Sequence, residues 1–147
     1  MDRKQFVKQC GFACLGATGV SIFIQSCTGT RQINSPIVNN QLQVPLTSFI
    51  ASKGDKQVEY KRYIIARNEQ LNYPLVVYRN AENDYTALLL RCSHQYNELN
   101  VNGELLSCPA HGSEFDNKGN IISGPADAPL RSFTVTTDNQ NIYIQLA

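Results

Sequence analysis

At 147 residues the chain has room for one compact domain and too little for two separate cores. Its composition, 42% hydrophobic and 17% charged, is that of a globular protein. A net charge of +1, with no basic stripe interleaved with aromatics, excludes nucleic acid as the partner.

Residues 1–26 read as a signal peptide. The start is basic, with Arg3, Lys4 and Lys8 against Asp2, and Gly11 to Ile24 is apolar apart from Thr18 and Ser21. That run is about 14 residues, against about 20 for a transmembrane helix. Asp2-Arg3-Lys4-Gln5-Phe6-Val7-Lys8 looks like a twin-arginine export signal with Lys in place of the second Arg. Such a route carries folded proteins and suits a cofactor inserted in the cytoplasm. Ile24-Gln25-Ser26-Cys27 resembles the lipobox of bacterial lipoproteins. That resemblance implies cleavage before Cys27 and a diacylglycerol on its thiol. An uncleaved anchor or an ordinary signal, with Cys27 a spare thiol, is the plainer alternative. The domain is then expected outside the bacterial cytoplasm, in the periplasm, anchored to a membrane by lipid. Residues 27–40 read as the lipidated Cys27 and a mostly polar, flexible tether.

From residue 41 to 147 the pattern is β. Leu42, Val44 and Leu46 alternate with polar residues. Val58 to Ala66 is aromatic and branched, and Leu75 to Tyr78 and Tyr85 to Leu90 are apolar runs of strand length. Phe133 and Val135 alternate with threonines, as Ile142, Ile144 and Leu146 do with polar residues. Asn102-Gly103 marks a tight turn, and Asp138-Asn139-Gln140-Asn141 a hairpin joining the last two strands. No long 3.6-residue period follows residue 30, so the expected architecture is an all-β sandwich or barrel-like domain. The basic cluster Lys53, Lys56, Lys61, Arg62 and Arg67 reads as a solvated loop and strand face.

Five cysteines stand at 10, 14, 27, 92 and 108, and the first three belong to the leader and its cleavage site. Cys92 and Cys108 each lie a few residues from one of the only two histidines. A plain disulfide between them is possible in an exported protein, but leaves the histidines unexplained. Cys92-Ser93-His94 and Cys108-Pro109-Ala110-His111, thirteen residues apart, offer two thiolates and two imidazoles. That set suits a tetrahedral zinc, and equally a [2Fe–2S] cluster with two His on one iron. Spacing alone does not decide between them.

The run Cys92-x-His94, thirteen residues, Cys108-Pro109-x-His111-Gly112-Ser113-x-Phe115-Asp116, followed by Gly124-Pro125-Ala126-Asp127-Ala128-Pro129-Leu130, resembles the Rieske iron–sulfur proteins. The resemblance implies an antiparallel β-sandwich with a small cluster-binding subdomain inserted at its tip. It implies one [2Fe–2S] cluster, with Cys92 and Cys108 on the inner iron and His94 and His111 on the outer. Residues 124–130 would be a proline loop covering the cluster, and Ser113 would donate its hydroxyl hydrogen to a bridging sulfide. Two thiolates and two neutral imidazoles neutralise the +2 core of an oxidised cluster, which favours a high potential, about −150 to +300 mV. The solvent-facing imidazoles could also couple a proton to the electron.

The sequence departs from the bc-type pattern at three points. Asn97 and Ala110 stand where those proteins carry a disulfide, so the loops must lean on packing and hydrogen bonds. Tyr96 replaces a glycine two residues after the first ligand histidine. Phe115 replaces a tyrosine that donates to a thiolate, which lowers the expected potential. Six acids between Glu98 and Asp138, against Lys118 and Arg131, read as a solvated face or as a docking surface for a basic partner such as a c-type cytochrome.

Single-electron transfer on a membrane-tethered exported protein is therefore the expected function, within a quinol- or cytochrome-type respiratory chain. The redox partner is expected to be a quinol-oxidising complex or a c-type cytochrome. Alternatives are the small subunit of a periplasmic oxidase, and a structural zinc domain. Oxygenase chemistry within this chain is not expected, because both histidines are already used and no active-site domain has room.

Overall fold

The computed structural model describes residues 31–53 and 57–147. Its strands are β1 (Gln32–Asn34), β2 (Ile37–Val38), β3 (Gln41–Pro45), β4 (Ile50–Lys53), β5 (Val58–Tyr60), β6 (Tyr63–Arg67), β7 (Leu75–Ala81) and β8 (Asp84–Leu89). They continue as β9 (Asn100–Asn102), β10 (Leu105–Ser107), β11 (Glu114–Phe115), β12 (Ile121–Ser123), β13 (Ser132–Phe133), β14 (Val135–Thr137) and β15 (Asn141–Gln145). One 3₁₀ turn, Leu46–Phe49, is the helical element among the described residues.

A central sheet runs β1-β6-β7-β8-β13, and a second runs β14-β15-β3-β2. Side chains alternate across a strand, so one sheet can wall off two cores. Ile64, Ala66, Leu75, Val77 and Ala87 face one way and meet Leu42, Val44, Ile142 and Ile144 of the second sheet. Tyr63, Val76, Tyr78, Leu88 and Leu90 face the other way, toward Cys92, Leu106, Cys108 and Phe115. This explains why Leu75-Val76-Val77-Tyr78 is an unbroken apolar run: β7 is buried on both faces. Each of its aliphatic side chains contributes about 1.5–3 kcal/mol by leaving water.

The third sheet, β12-β11-β10-β9, is the expected inserted subdomain. It leaves the chain after β8 and returns at β13, and those two strands pair, Leu88 with Ser132 and Ala87 with Phe133. The Tyr78 hydroxyl donates to the Gly103 carbonyl at 2.9 Å, tying base to insertion. Burial pushes that phenol well above its ordinary pKa, with smaller upward contributions from Tyr63 and Glu104.

Three expectations need correction. Of the tether expected over 27–40, residues 31–40 belong to the domain. β1 pairs with β6, in parallel rather than antiparallel register, and the Ser35 amide donates to the Arg67 carbonyl at 2.9 Å. Asn39 and Asn40, at φ +51 and +61, make a two-residue turn that folds β2 back on β3. The run Val58–Ala66 breaks at Lys61-Arg62 into an exposed β5, paired with β4, and a mostly buried β6. The 102–103 turn is displaced by one residue: Asn102 pairs with Leu105, and Gly103, at φ +66, opens the loop with Glu104. The Asp138 hairpin forms as expected. Its carboxylate accepts from the Tyr143 hydroxyl and from the Gln140 and Asn141 amides, at 2.6–2.7 Å.

The expected signal peptide, with Cys10 and Cys14, and the lipidation site Cys27 lie outside the described residues, as does Lys56. Among the described residues no helix is long and apolar enough to cross a membrane.

Candidate metal centre

Two loops at the tip of the insertion carry the cysteines and histidines. The first joins β8 to β9, and its Cys92 amide donates to the Asn97 carbonyl at 2.8 Å while the Tyr96 amide donates to the Cys92 carbonyl at 2.9 Å. The second joins β10 to β11. Its Cys108 amide donates to the Ser113 carbonyl at 2.8 Å, and the Gly112 amide to the Cys108 carbonyl at 3.0 Å. The two loops therefore share one backbone design, counted from each cysteine. At the fourth position after the cysteine the chain turns left-handed in both, with φ +62 at Tyr96 and +78 at Gly112. A left-handed conformation suits glycine and costs a bulky side chain roughly 1–2 kcal/mol. The first loop bears that cost.

These turns bring the candidate ligands together in two pairs, Cys92 with Cys108 and His94 with His111. Cys92 and Cys108 are free thiols, both buried in the same apolar core as Phe115. Burial pushes the Cys108 thiol up, but the Ala110 and His111 amides and the Cys92 thiol offset it and hold the group below its ordinary pKa. The rings of His94 and His111 meet edge to face, with centroids 5.0 Å apart. His94 Nδ1 is buried and has no hydrogen-bond partner. A buried imidazole nitrogen without a partner is costly unless something else uses its lone pair. The donor set divides into two thiols and two imidazoles. Among the described residues no three His, Cys, Asp or Glu side chains converge as one metal ion requires. Two thiols and two imidazoles are the donor set of a [2Fe–2S] cluster with two His on one iron, and the set by itself also suits a zinc.

A third loop, 124–131, closes the site. The Ala126 amide donates to Ser113 Oγ at 3.0 Å, and Ser113 is wholly buried. Because that oxygen is accepting, its own O–H remains available to donate. Ser93 Oγ donates to the Ala128 carbonyl at 2.6 Å. Each cysteine loop is thus tied to the third loop by one hydroxyl. With Asn97 and Ala110 unable to form a disulfide, these two bonds join the loops instead. Ser93 was not singled out by the sequence, where a serine between a cysteine and a histidine carries no signal of its own.

The acidic stretch is largely a solvated face, most of whose carboxylates have partners within the chain. Glu98 pairs with Arg67, and Glu104 with Arg62. Asp116 accepts from the Lys118 amide and from Asn120, and Asp138 is committed to its hairpin. Burial acts to raise Asp116, but the bonds from Asn120 and the Lys118 amide leave it below the ordinary carboxylate range. Among the described residues, only Glu114 and Asp127 of the six lack such partners. The two arginines of the expected basic patch are spent on bridging base and insertion.

Comparison with known proteins agrees with this geometry. Residues 52–134 match the family described as the Rieske [2Fe-2S] domain. The chain is 29% identical over 83 residues to the cytochrome b6-f complex iron-sulfur subunit of Chlorobaculum tepidum, covering 53% of this chain and 44% of that protein. It is 36% identical over 85 residues to the oxygenase component of dicamba O-demethylase of Stenotrophomonas maltophilia, covering 50% and 25%. The chain thus spans less than half the length of these relatives. A naphthalene 1,2-dioxygenase structure with indole bound superposes with a TM-score of 0.55 at 21% identity, over 76% of this chain and 27% of that one. At that identity it shows the fold alone.

Proposed function

Because the chain belongs to the Rieske [2Fe–2S] domain family, which binds one [2Fe–2S] cluster and transfers electrons through it, we propose that Cys92 and Cys108 hold one iron and His94 and His111 the other. The observation that carries this is the buried, unpartnered Nδ1 of His94, whose ring lies against that of His111, in the loop that follows the free, buried Cys92. Bound there, the cluster supplies a one-electron couple with a potential in the broad range of about −150 to +300 mV.

The chain's own residues do the rest. Buried Cys92 and Cys108 and the apolar Phe115 keep water from the inner side. His111, exposed, and His94, half-buried, present the edge nearest a partner. The Ser113 hydroxyl, fixed by the Ala126 amide, is placed to donate toward the cluster. Phe115 offers no hydroxyl to a thiolate, so the potential sits below that of a tyrosine-bearing site. Zinc is set aside by the family match.

The finer setting belongs to the same proposal. The basic, apolar leader ending at Cys27 supports an exported protein held to a membrane by lipid, with its domain in the periplasm. Likeness to a cytochrome b6-f subunit supports a place in a quinol- or cytochrome-linked respiratory chain. A second reading, delivery of electrons to a separate catalytic subunit of an oxidase, draws on the likeness to an oxygenase component.

The test is metal and sulfide analysis of the full chain, with low-temperature EPR after dithionite. About two irons and two sulfides per chain and a rhombic spin-one-half signal are expected. A colourless, zinc-loaded protein from cells able to build clusters would overturn the proposal.

A further inference from the structure

Beside the first cysteine loop lies a cleft of about 290 Å³, bounded by Arg91, Ser93 and Tyr96 on one side and by Pro129, Leu130 and Arg131 on the other. Both arginines are exposed, and among the described residues neither forms an ion pair, although Arg62 and Arg67 both do. Each is instead held against an aromatic ring. The Arg91 guanidinium lies 4.5 Å from the Tyr96 centroid and that of Arg131 4.7 Å from Phe133. Stacking fixes a guanidinium without using its N–H donors, which remain in plane for a carboxylate. Arg131 spends one N–H on the Leu146 carbonyl at 2.9 Å, and no side-chain donation from Arg91 is made within the described chain. Two unneutralised, pre-positioned cations thus flank a concave surface whose wall includes Ser93, next in sequence to His94. The acids that gave this half of the chain its negative count are mostly committed elsewhere.

We propose that this cleft receives a pair of carboxylates from an acidic electron-transfer protein, docking it beside the cluster. The inference deepens the electron-transfer reading and rests on it: it reverses the charge of the partner that the sequence alone favours. Tyr96 has a second role here. Its unfavourable backbone conformation keeps in place the nearer ring on which Arg91 rests, where glycine would leave the guanidinium only the Tyr73 ring, 6.0 Å away.

Binding of the full, cluster-loaded chain would be measured by calorimetry at low ionic strength against two probes. One is a plant-type [2Fe–2S] ferredoxin, an acidic carrier, and the other mitochondrial cytochrome c, a basic one. We expect the ferredoxin to bind more tightly. The double variant Arg91→Gln/Arg131→Gln should weaken it roughly tenfold or more, and added salt should weaken the unaltered pair. Arg62→Gln/Arg79→Gln removes the same charge outside the cleft and should change ferredoxin binding far less. Equal losses in both double variants would reduce the effect to net charge and overturn the proposal. So would tighter binding of cytochrome c, or no ferredoxin binding. Visible absorbance of each variant separates the two claims. A coloured protein indifferent to Arg91 and Arg131 sinks only the docking site, whereas a colourless unaltered chain sinks the electron-transfer reading beneath it.

Discussion

The two faces of the central sheet are built on different principles. On one, Leu75, Val77, Ile64 and Ala87 meet Leu42, Val44, Ile142 and Ile144 from long, well-paired strands. That core consists of hydrocarbon and backbone ladders and is complete in itself. On the other, Val76, Tyr78, Leu88 and Leu90 meet an insertion of two- and three-residue strands whose core includes two thiols. Its loops are closed by single hydroxyls, at Ser93 and Ser113, and by a left-handed tyrosine. The first face stabilises through buried area. The second depends on polar bonds and on whatever its thiols and imidazoles hold.

That contrast can be broken most forcefully at Cys108. Cys108→Ser should lose all bound iron and the visible spectrum. Amide exchange should then speed up in β9–β12 while β3 and β15 stay protected. Uniform loss of protection would contradict the division. Leu75→Ala, on the opposite face, should cost about 2–5 kcal/mol by denaturant unfolding, with the folded fraction keeping its full iron content. Loss of iron before unfolding would show the faces to be coupled.

Smaller changes probe the insertion itself. Ser113→Ala leaves the Ala126 amide buried without an acceptor and should cost about 1–3 kcal/mol, together with a fall in potential. Unchanged stability would mean that the third loop is not held there. Tyr96→Gly should relieve the left-handed residue and stabilise the apoprotein by up to about 1 kcal/mol, and a loss of stability would show the ring packing to outweigh the strain. Phe115→Tyr should raise the potential in protein-film voltammetry with little effect on stability. A potential that fails to rise would remove Phe115 as a tuning residue.

The same division governs what could be read from the sequence. Leu42, Val44, Ile142 and Ile144 follow the two-residue period because they line one face of one sheet. The four candidate ligands were legible because each Cys–His pair is local and the flanking Gly-Ser and Pro motifs are specific. Contacts between distant polar groups were not. Residues 31–40 look like a polar linker, since their role comes from pairing with Arg67 and from an Asn-Asn turn whose partner strand is not adjacent to β1. The shared backbone design of the two cysteine loops is hidden because one writes its left-handed position as Gly112 and the other as Tyr96. The local partners of the acidic stretch are hidden because charge counts ignore which carboxylates are spent on Arg62, Arg67 or their own turns.

The central claim is that Cys92 and Cys108 serve one metal and His94 and His111 the other. Pulsed EPR on the dithionite-reduced full chain, grown with ¹⁵N-histidine, addresses it directly. The account predicts hyperfine couplings from two imidazole nitrogens, with one lost in His94→Ala if any signal survives. A cluster signal without histidine nitrogen coupling would contradict it.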